Sequence, residues 1–407
     1  MLSYSDKHIG EIYIMSEYCW LPAIRIRGYR PFRDLLFTFK MLEVIVGANG
    51  SGKTSLFEFL KFLRDAFTTD IPPEIIADSM GQRIFHSPGP DKLFWNVEIN
   101  LKKKISLYYQ GEIVGPLGSP KVSFERVVTK KSSADDAQNI YTYLDFRDSK
   151  GLVRDPDDGD FLRKEWRLGK DNRLGLGAIT DANLSTLYSI REYIRGWRFY
   201  NPFNFNLEKI RRPVAITQSP ILDEDAGNLG VVLFYLMTEY PEAFADLKSL
   251  IQFAVPGFKS MTVKARGGLN EVLVFWEEDN VETELTLADL GAGTLRFIAW
   301  ASLCVLPDPP SLICIDDPSI GLHPRTLAIL AGLFEKAADK TQVLLTTHSS
   351  YFLTQFDLDN IAILKKVNGQ SVYINAKNSK NLMENLKKIG IERLEHLHRT
   401  DELEALT

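Results

Sequence analysis

The sequence predicts an α/β fold whose core sheet is assembled from segments far apart in the chain. Three observations predict it. Strand-like and helical patterns alternate at both ends, around a middle that is rich in strands. An apolar strand at 42–46 runs into a glycine-rich loop and then an amphipathic helix. A second apolar strand, 312–316, ends in two adjacent acids, Asp316 and Asp317. The expected organisation is an N-terminal extension over 1–21, a core from 22–75 and 286–365, and an antiparallel β lobe over 76–200. A helical hairpin with strands over 201–285 and a C-terminal tail over 366–407 complete it.

Composition sets the outer limits. The 407 residues are 45% hydrophobic and 25% charged, which is ordinary for a globular protein and long enough for two or three lobes. A net charge of −5 argues against a generally basic nucleic-acid coat. Local basic runs remain at Lys102–Lys104, Lys130-Lys131 and Arg211-Arg212, where a solvated surface run is the ordinary explanation. Cys19, Cys304 and Cys314 form no CxxC pair and read as reduced residues of a cytoplasmic protein. The longest apolar run, 297–306, is too short to span a bilayer. The first twenty residues lack the pattern of a signal peptide, and Met15 is an alternative start.

Taken in order, residues 22–48 read as two strands. A helix is expected from about 53 to 67, with Leu56, Phe59, Leu60 and Leu63 on its apolar face. Residues 94–130 hold several strand runs separated by turns, an antiparallel meander. Residues 131–185 are polar and rich in Gly and Asp, and a loop-dominated stretch is expected there. A helix follows at 186–199, then a helical hairpin at 229–255 broken at Pro241. Strands at 261–265 and 272–276 precede a helix at 294–306. After the strand at 312–316 come a helix at 325–338 and a strand at 343–347. There are no sustained heptads and no internal repeat.

Residues Gly47-Ala48-Asn49-Gly50-Ser51-Gly52-Lys53-Thr54 match G-x4-G-K-[ST] in full. Residue frequencies would give this match in roughly one or two percent of chains of this size. A strand before it and a helix after it are the context the chemistry needs. The glycines let backbone N–H groups wrap a phosphate, and the helix start, with Ser55 in its first turn, adds positive potential. Lys53 is expected on the β- and γ-phosphates of ATP, and the Thr54 hydroxyl on Mg²⁺.

Such a loop needs a second metal partner at the end of a neighbouring strand. Asp316 supplies it, holding the metal through water. Asp317 is expected to orient or deprotonate the attacking water. Two buried carboxylates without a cation would be costly, and a bound metal offsets that.

Three further segments carry a resemblance. Residues 317–324, DPSIGLHP, resemble the D-loop of ABC-type ATPases. Residues 344–349, LLTTHS, resemble their switch-histidine strand, and residues 290–296, LGAGTLR, the signature segment of the RecF/SMC-like branch. Residues 26–33, IRGYRPFR, resemble that branch's opening strand and turn. The chain is thus similar, over residues 22–365, to short bacterial ATPases of this branch. The resemblance implies a P-loop ABC-type head with a mainly parallel core sheet, an antiparallel β lobe and a small helical insertion. It also implies a homodimer closing around ATP, with Gly291, Gly293 and Thr294 of one subunit meeting the other's nucleotide. Arg30 would then lie near the nucleotide, and His348 would sense the γ-phosphate.

Two positions depart from the family pattern. Gly291 stands where the signature normally carries a serine, and Asp317 where the base is normally a glutamate, one methylene longer. Both weaken hydrolysis more than binding. Asp317→Glu is expected to raise turnover if the surrounding loop has not adapted to the shorter acid. No Q-loop glutamine stands out among Gln82, Gln110 and Gln138. His396 and His398, at i and i+2, do not share a helix face and read as no metal site.

The expectation is therefore a cytoplasmic, Mg²⁺-dependent, slow ATPase, dimerising on ATP and acting in DNA repair or anti-phage defence, with DNA or a separate effector protein as its target and no membrane partner. A regulatory ATP-binding scaffold with negligible turnover is the alternative. A nuclease fused to this head is disfavoured, because the residues after 365 lack a clustered acidic set.

Overall fold

A computed structural model of the chain describes residues 19–71, 84–101, 105–116, 119–130, 140–154, 164–217, 220–266, 270–389, 394–400 and 402–407. Met15, Lys102–Lys104, Lys131, Gln82 and Gln138 lie outside the described residues. The chain forms two compact units, each drawn from distant segments.

The first unit takes residues 1–41, 47–197 and 362–374. In it β1 (Trp20–Tyr29) and β2 (Phe32–Thr38) form a hairpin. Along β1 the side chains alternate: Ile24 and Ile26 are fully buried, Arg25 and Arg27 are exposed. The second unit takes 42–46, 198–361 and 375–407, and its first strand is β3 (Leu42–Val46), buried throughout. Back in the first unit, α1 (Lys53–Asp65) presents Leu56, Phe59, Leu60 and Leu63 to the core, the face its sequence period predicts.

Next come β4 (Lys92–Leu101), β5 (Ile105–Val114) and β6 (Lys121–Lys130), the expected meander. The stretch read as loop-dominated then supplies three more strands, β7 (Ile140–Arg147), β8 (Lys150–Val153) and β9 (Lys164–Arg167). The β7–β8 turn is made by Asp148 and Ser149, both left-handed at φ 47° and 65°, without a glycine to mark it. All eight strands are antiparallel, in the order β2-β1-β4-β5-β6-β7-β8-β9. Among the described residues this is the largest sheet, so the expectation of a mainly parallel core does not hold for it. The N-terminal strands assigned to that core by pattern join this sheet instead.

Helix α2 (Ser185–Arg195) stops earlier than its pattern suggested, at Gly196, and Trp197–Tyr200 forms β10. The aromatic run WRFY favours an extended, half-buried surface over a helix. In the second unit, α3 (Leu229–Glu239) and α4 (Pro241–Ala254) make the expected hairpin, with Pro241 at the first turn of α4 where its missing N–H is harmless. Strands β11 (Val214–Ala215), β12 (Phe258–Arg266), β13 (Glu271–Glu278) and β14 (Leu285–Thr286) form a small antiparallel sheet.

Helix α5 (Ala292–Val305) is apolar nearly all round and buried from Phe297 to Cys304. It precedes β15 (Leu312–Asp316), α6 (Pro324–Ala337) and β16 (Gln342–Thr346). Strands β15, β16 and β3 are parallel, with β16 in the centre. A four-residue helix α7 (Ser350–Leu353) follows. Strands β17 (Ile361–Val367) and β18 (Gln370–Asn375) then meet at Asn368-Gly369, an Asn-Gly turn with both residues left-handed. Helices α8 (Lys380–Ile389), α9 (Leu394–Arg399) and α10 (Glu402–Leu406) end the chain. Among the described residues no helix is long and apolar enough to cross a membrane.

Candidate functional site

In the first unit the loop 47–54 has the backbone its glycines permit. Gly47, Gly50 and Gly52 have φ of 154°, 77° and 116°. A Cβ on Gly47 would stand 2.0 Å from the Leu364 carbonyl oxygen, and one on Gly52 would stand 2.7 Å from the Phe32 ring. Ala48 is half-buried, and Asn49 and Gly50 are exposed at the tip of the loop. Helix α1 starts at Gly52 with no side-chain cap and no acid in its first turn, so its first N–H groups are left for an anion. Lys53 is 95% buried; its Nζ donates to the Gly47 carbonyl and, at 3.2 Å, to the Ala48 carbonyl. The Ser51 hydroxyl is buried with no hydrogen-bond partner. A loop with an orphaned hydroxyl, an uncapped helix and an inward lysine fits a nucleotide phosphate.

The loop is braced from two sides. The Ser371 hydroxyl, on β18, donates to the Ser51 carbonyl at 3.0 Å. Arg30, held left-handed at φ 44°, forms an ion pair with Glu58 on α1. Thr54 is exposed and Ser55 half-buried at the start of α1. Among the described residues no group of three or more His, Cys, Asp or Glu side chains could hold a metal. A metal at such a loop would draw on a hydroxyl, one carboxylate and phosphate oxygens, the donor set that suits magnesium.

In the second unit the acids meet the centre of the parallel strands. Thr346 is the register partner of Asp316 on one side and of Ile45 on the other. Ile45 on β3 is therefore level with Asp316 and two strands away, roughly 10 Å at ordinary strand spacing. The Thr346 hydroxyl donates to Asp316 Oδ1. Asp317 is 9% exposed and left-handed at φ 54°. Its Oδ1 accepts from the Ser319 hydroxyl at 2.6 Å and the Thr347 hydroxyl at 3.2 Å, and its N–H donates to the Thr346 carbonyl at 3.1 Å. His348 follows Thr347 and is exposed.

The signature and D-loop segments touch within this unit. Gly291 is the N-cap of α5, extended and exposed, with nothing within 4 Å of where a Cβ would stand. Gly293 has no such room: its Cβ would stand 2.6 Å from the Gly321 carbonyl oxygen. Thr294 is half-buried. One turn on, the Arg296 guanidinium fills the space a side chain on Gly321 would need and donates to the Pro202 carbonyl at 3.4 Å. Gly321 is left-handed at φ 74°, and His323 caps α6, its Nδ1 accepting from the Arg325 N–H at 3.1 Å.

One residue was not found by sequence reasoning. Asn201 directly follows β10, the strand beside β15, and its Nδ2 lies 3.5 Å from Asp316 Oδ2. No glutamine motif marks it, because the residue is an asparagine after a short aromatic strand. Gln110, in contrast, lies on β5 between Asn96 and Arg126, in the antiparallel sheet. His398 Nδ1 lies 3.0 Å from the Ser350 hydroxyl, a bond that ties α9 to α7.

A P-loop followed at a distance by an acid-tipped parallel strand defines a nucleoside-triphosphate-binding α/β protein. Residues 114–354 match the AAA-domain family described as "AAA domain, putative AbiEii toxin, Type IV TA system", and residues 23–172 match a second AAA-domain family. The first match spans more than half of the chain, so the chain belongs to this AAA-domain family. No curated protein matches its sequence. Among solved structures it is similar to an Smc head bound to the C-winged helix domain of ScpA. That similarity has a TM-score of 0.54 and 11% identity over 87% of this chain and 97% of that one. It is also similar to the Smc head domain with an extended coiled coil, bound to the C-terminal domain of ScpA, from Pyrococcus furiosus. Here the TM-score is 0.52, with 9% identity over 91% of this chain and 100% of that one. At these identities the likeness concerns the fold.

Proposed function

We propose that the chain is a magnesium-dependent ATP-binding protein that hydrolyses ATP slowly and closes into a homodimer around the nucleotide. The observation that carries this reading is the loop 47–54 itself, with Lys53 turned inward on two loop carbonyls, an orphaned Ser51 hydroxyl and an uncapped start of α1. Lys53 binds the β- and γ-phosphates, and the uncapped start of α1 adds its N–H groups. Thr54 and Asp316 are the residues that would hold magnesium, which supplies charge neutralisation on the phosphate oxygens. Asn201 and Thr346 fix the two oxygens of Asp316, so that its carboxylate keeps one orientation. Asp317 orients the attacking water and takes its proton.

His348 senses the γ-phosphate, and the α5 start, with Gly291, Gly293 and Thr294, meets the nucleotide of the second subunit. The role is cytoplasmic, in anti-phage defence or DNA repair, and the description of the matched family as a putative toxin of a Type IV TA system favours the former. DNA or a separate effector is the target. A second reading, a regulatory scaffold without turnover, is favoured by Gly291 and Asp317 standing where the family pattern has serine and glutamate.

The test is ATP turnover with and without DNA, with mass measured in the same samples. Phosphate release above background together with an ATP-dependent mass increase supports the first reading. ATP-dependent dimerisation without phosphate release supports the scaffold. Neither binding nor dimerisation would sink both.

A further inference from the structure

The antiparallel sheet has two unlike faces. One carries Ile26, Trp95 and Tyr109, all fully buried, and Phe67, just beyond α1, packs edge-on against Tyr109 at 5.8 Å. Strand alternation turns the adjacent residues to the opposite face. Arg27, Phe94, Glu112 and Phe124 are successive register partners across β1, β4, β5 and β6, so they form one transverse row there. Residues 86–90 and the turn at 368–370 stand beside this row and close a groove of about 920 Å³, within the usual range for small-molecule sites. No residue of the phosphate loop lines it.

The groove combines an aromatic floor with positive charge. The rings of Phe94 and Phe124 lie 6.1 Å apart, and the Arg27 guanidinium stands 5.3 Å from the Phe94 ring. Among the described residues that line it, Arg27, Arg33 and Lys92 face one acid, Glu112. That acid already bonds Lys92 at 2.8 Å and Ser123 at 2.7 Å, and Arg27 already bonds Asp34 at 3.0 Å. Arg33 differs: it is exposed, and among the described residues it has no hydrogen-bond or ion-pair partner. His86 lies with Nδ1 2.8 Å from the Arg30 carbonyl, so that nitrogen donates and Nε2 is left as an acceptor, suited to a ribose hydroxyl. The Arg33 guanidinium suits a phosphate, and two neighbouring rings, tilted by 41°, offer apolar faces to a flat base.

We propose that this groove is a second nucleotide-binding site. It takes a nucleoside monophosphate unit, free or within a single strand, with the base on Phe94 and Phe124, the phosphate on Arg33 and a sugar hydroxyl on His86. The site is linked to the phosphate loop. His86 holds the carbonyl of Arg30, whose side chain pairs with Glu58 on α1. Gln370 in the groove wall is followed by Ser371, which bonds Ser51. A ligand that orders these two walls acts on both braces of the loop and so couples to ATP binding.

Equilibrium dialysis of the full chain with AMP tests this. A phosphate loop grips β- and γ-phosphates, so AMP reports the groove. AMP should bind the wild type, and Arg33→Glu and Phe124→Ala should each weaken it by about tenfold or more, the cost of a lost charge-assisted contact or stacked ring. ATP affinity in Arg33→Glu, measured without AMP, should stay unchanged. Adenosine alone and inorganic phosphate alone should bind more weakly than AMP. A short single-stranded oligodeoxyadenylate that binds more tightly than AMP supports the site with a strand as the source, and one that binds more weakly supports it with the free nucleotide. Lys53→Ala should lose ATP binding and keep AMP binding, which separates this site from the phosphate loop. Absent AMP binding, or AMP binding unchanged by Arg33→Glu and Phe124→Ala, overturns the proposal.

Discussion

Asp317 is held by two hydroxyls on one oxygen, from Ser319 at 2.6 Å and Thr347 at 3.2 Å, while its own backbone is left-handed. Its loop is thus fitted to a short acid, and this reverses the outcome expected from sequence for Asp317→Glu. The longer side chain has to leave both hydroxyls or push its carboxylate forward, and either change misplaces the base. A misplacement of about 1 Å at a positioned group costs on the order of a hundredfold in rate. Single-turnover hydrolysis should therefore fall in Asp317→Glu and be abolished in Asp317→Asn, with ATP binding kept in both. Equal rates in wild type and both variants would mean that residue 317 carries no chemistry. Gly291 allows the opposite kind of change. Its backbone is extended and its surroundings are open, so Gly291→Ser fits without strain and offers α5 a better cap, worth roughly a few tenths of a kcal/mol. Turnover and ATP-driven dimerisation should both rise in this variant, and a fall in either would remove Gly291 from the nucleotide's second contact.

Between elements, the tightest approach is where the start of α5 meets the D-loop. Any side chain on Gly293 collides with the Gly321 backbone, which cannot move without shifting Arg296. Gly293→Ala should cost about 1–3 kcal/mol, the usual range for overpacking, read as a lower Tm. For the same reason a loss of dimerisation in Gly293→Glu would not by itself show a contact with the second subunit. A second element-scale device joins β6 to the loop at 175–176. Glu125 is fully buried and accepts from the Tyr109 hydroxyl at 2.8 Å, the Leu176 N–H at 3.0 Å and the Gly175 N–H. Burial pushes its carboxyl up to about 7 from 4.5, and the three hydrogen bonds only partly oppose this. The folded value lies above the unfolded one, so the fold favours the protonated acid. The stabilisation is full below pH 4.5 and is lost as pH rises through about 7. A shift of this size corresponds to on the order of 3 kcal/mol. Thermal melts from about pH 5 to 8 should show Tm falling with rising pH. Glu125→Gln should flatten that slope while lowering Tm at the acid end, because its amide nitrogen meets a backbone donor.

At the scale of the whole molecule, the reading is an ATP-dependent dimer with a net charge of −5. ATP with magnesium should raise the mass measured by light scattering, and chelation of the metal should reverse it. Lys53→Ala should abolish ATP binding and with it the mass change. The lysine is buried and holds two loop carbonyls, so a small drop in Tm is expected alongside. ATP binding that survives in this variant would remove the loop assignment. An acidic chain binds DNA only through local patches, so any stimulation of turnover by DNA should weaken as salt rises.

The phosphate loop, the acid-tipped strand and the helices around them are legible in the sequence because each is set by contiguous residues. Glycines fix a left-handed backbone, an apolar run fixes a buried strand, and a helical period fixes a face. The hairpin α3–α4, α5, α6 and β16 fall within a few residues of where the pattern places them for the same reason. Tertiary structure alone decided which strand lies beside which. Sheet pairing is non-local and leaves no mark in a single strand, so β7 to β9 and the joining of β1 and β2 to the antiparallel sheet could not be read. Asn201 beside Asp316, Ser371 beneath the phosphate loop and Glu125 under residues 175–176 became visible only with that pairing, because their partners lie 115, 320 and 50 residues away.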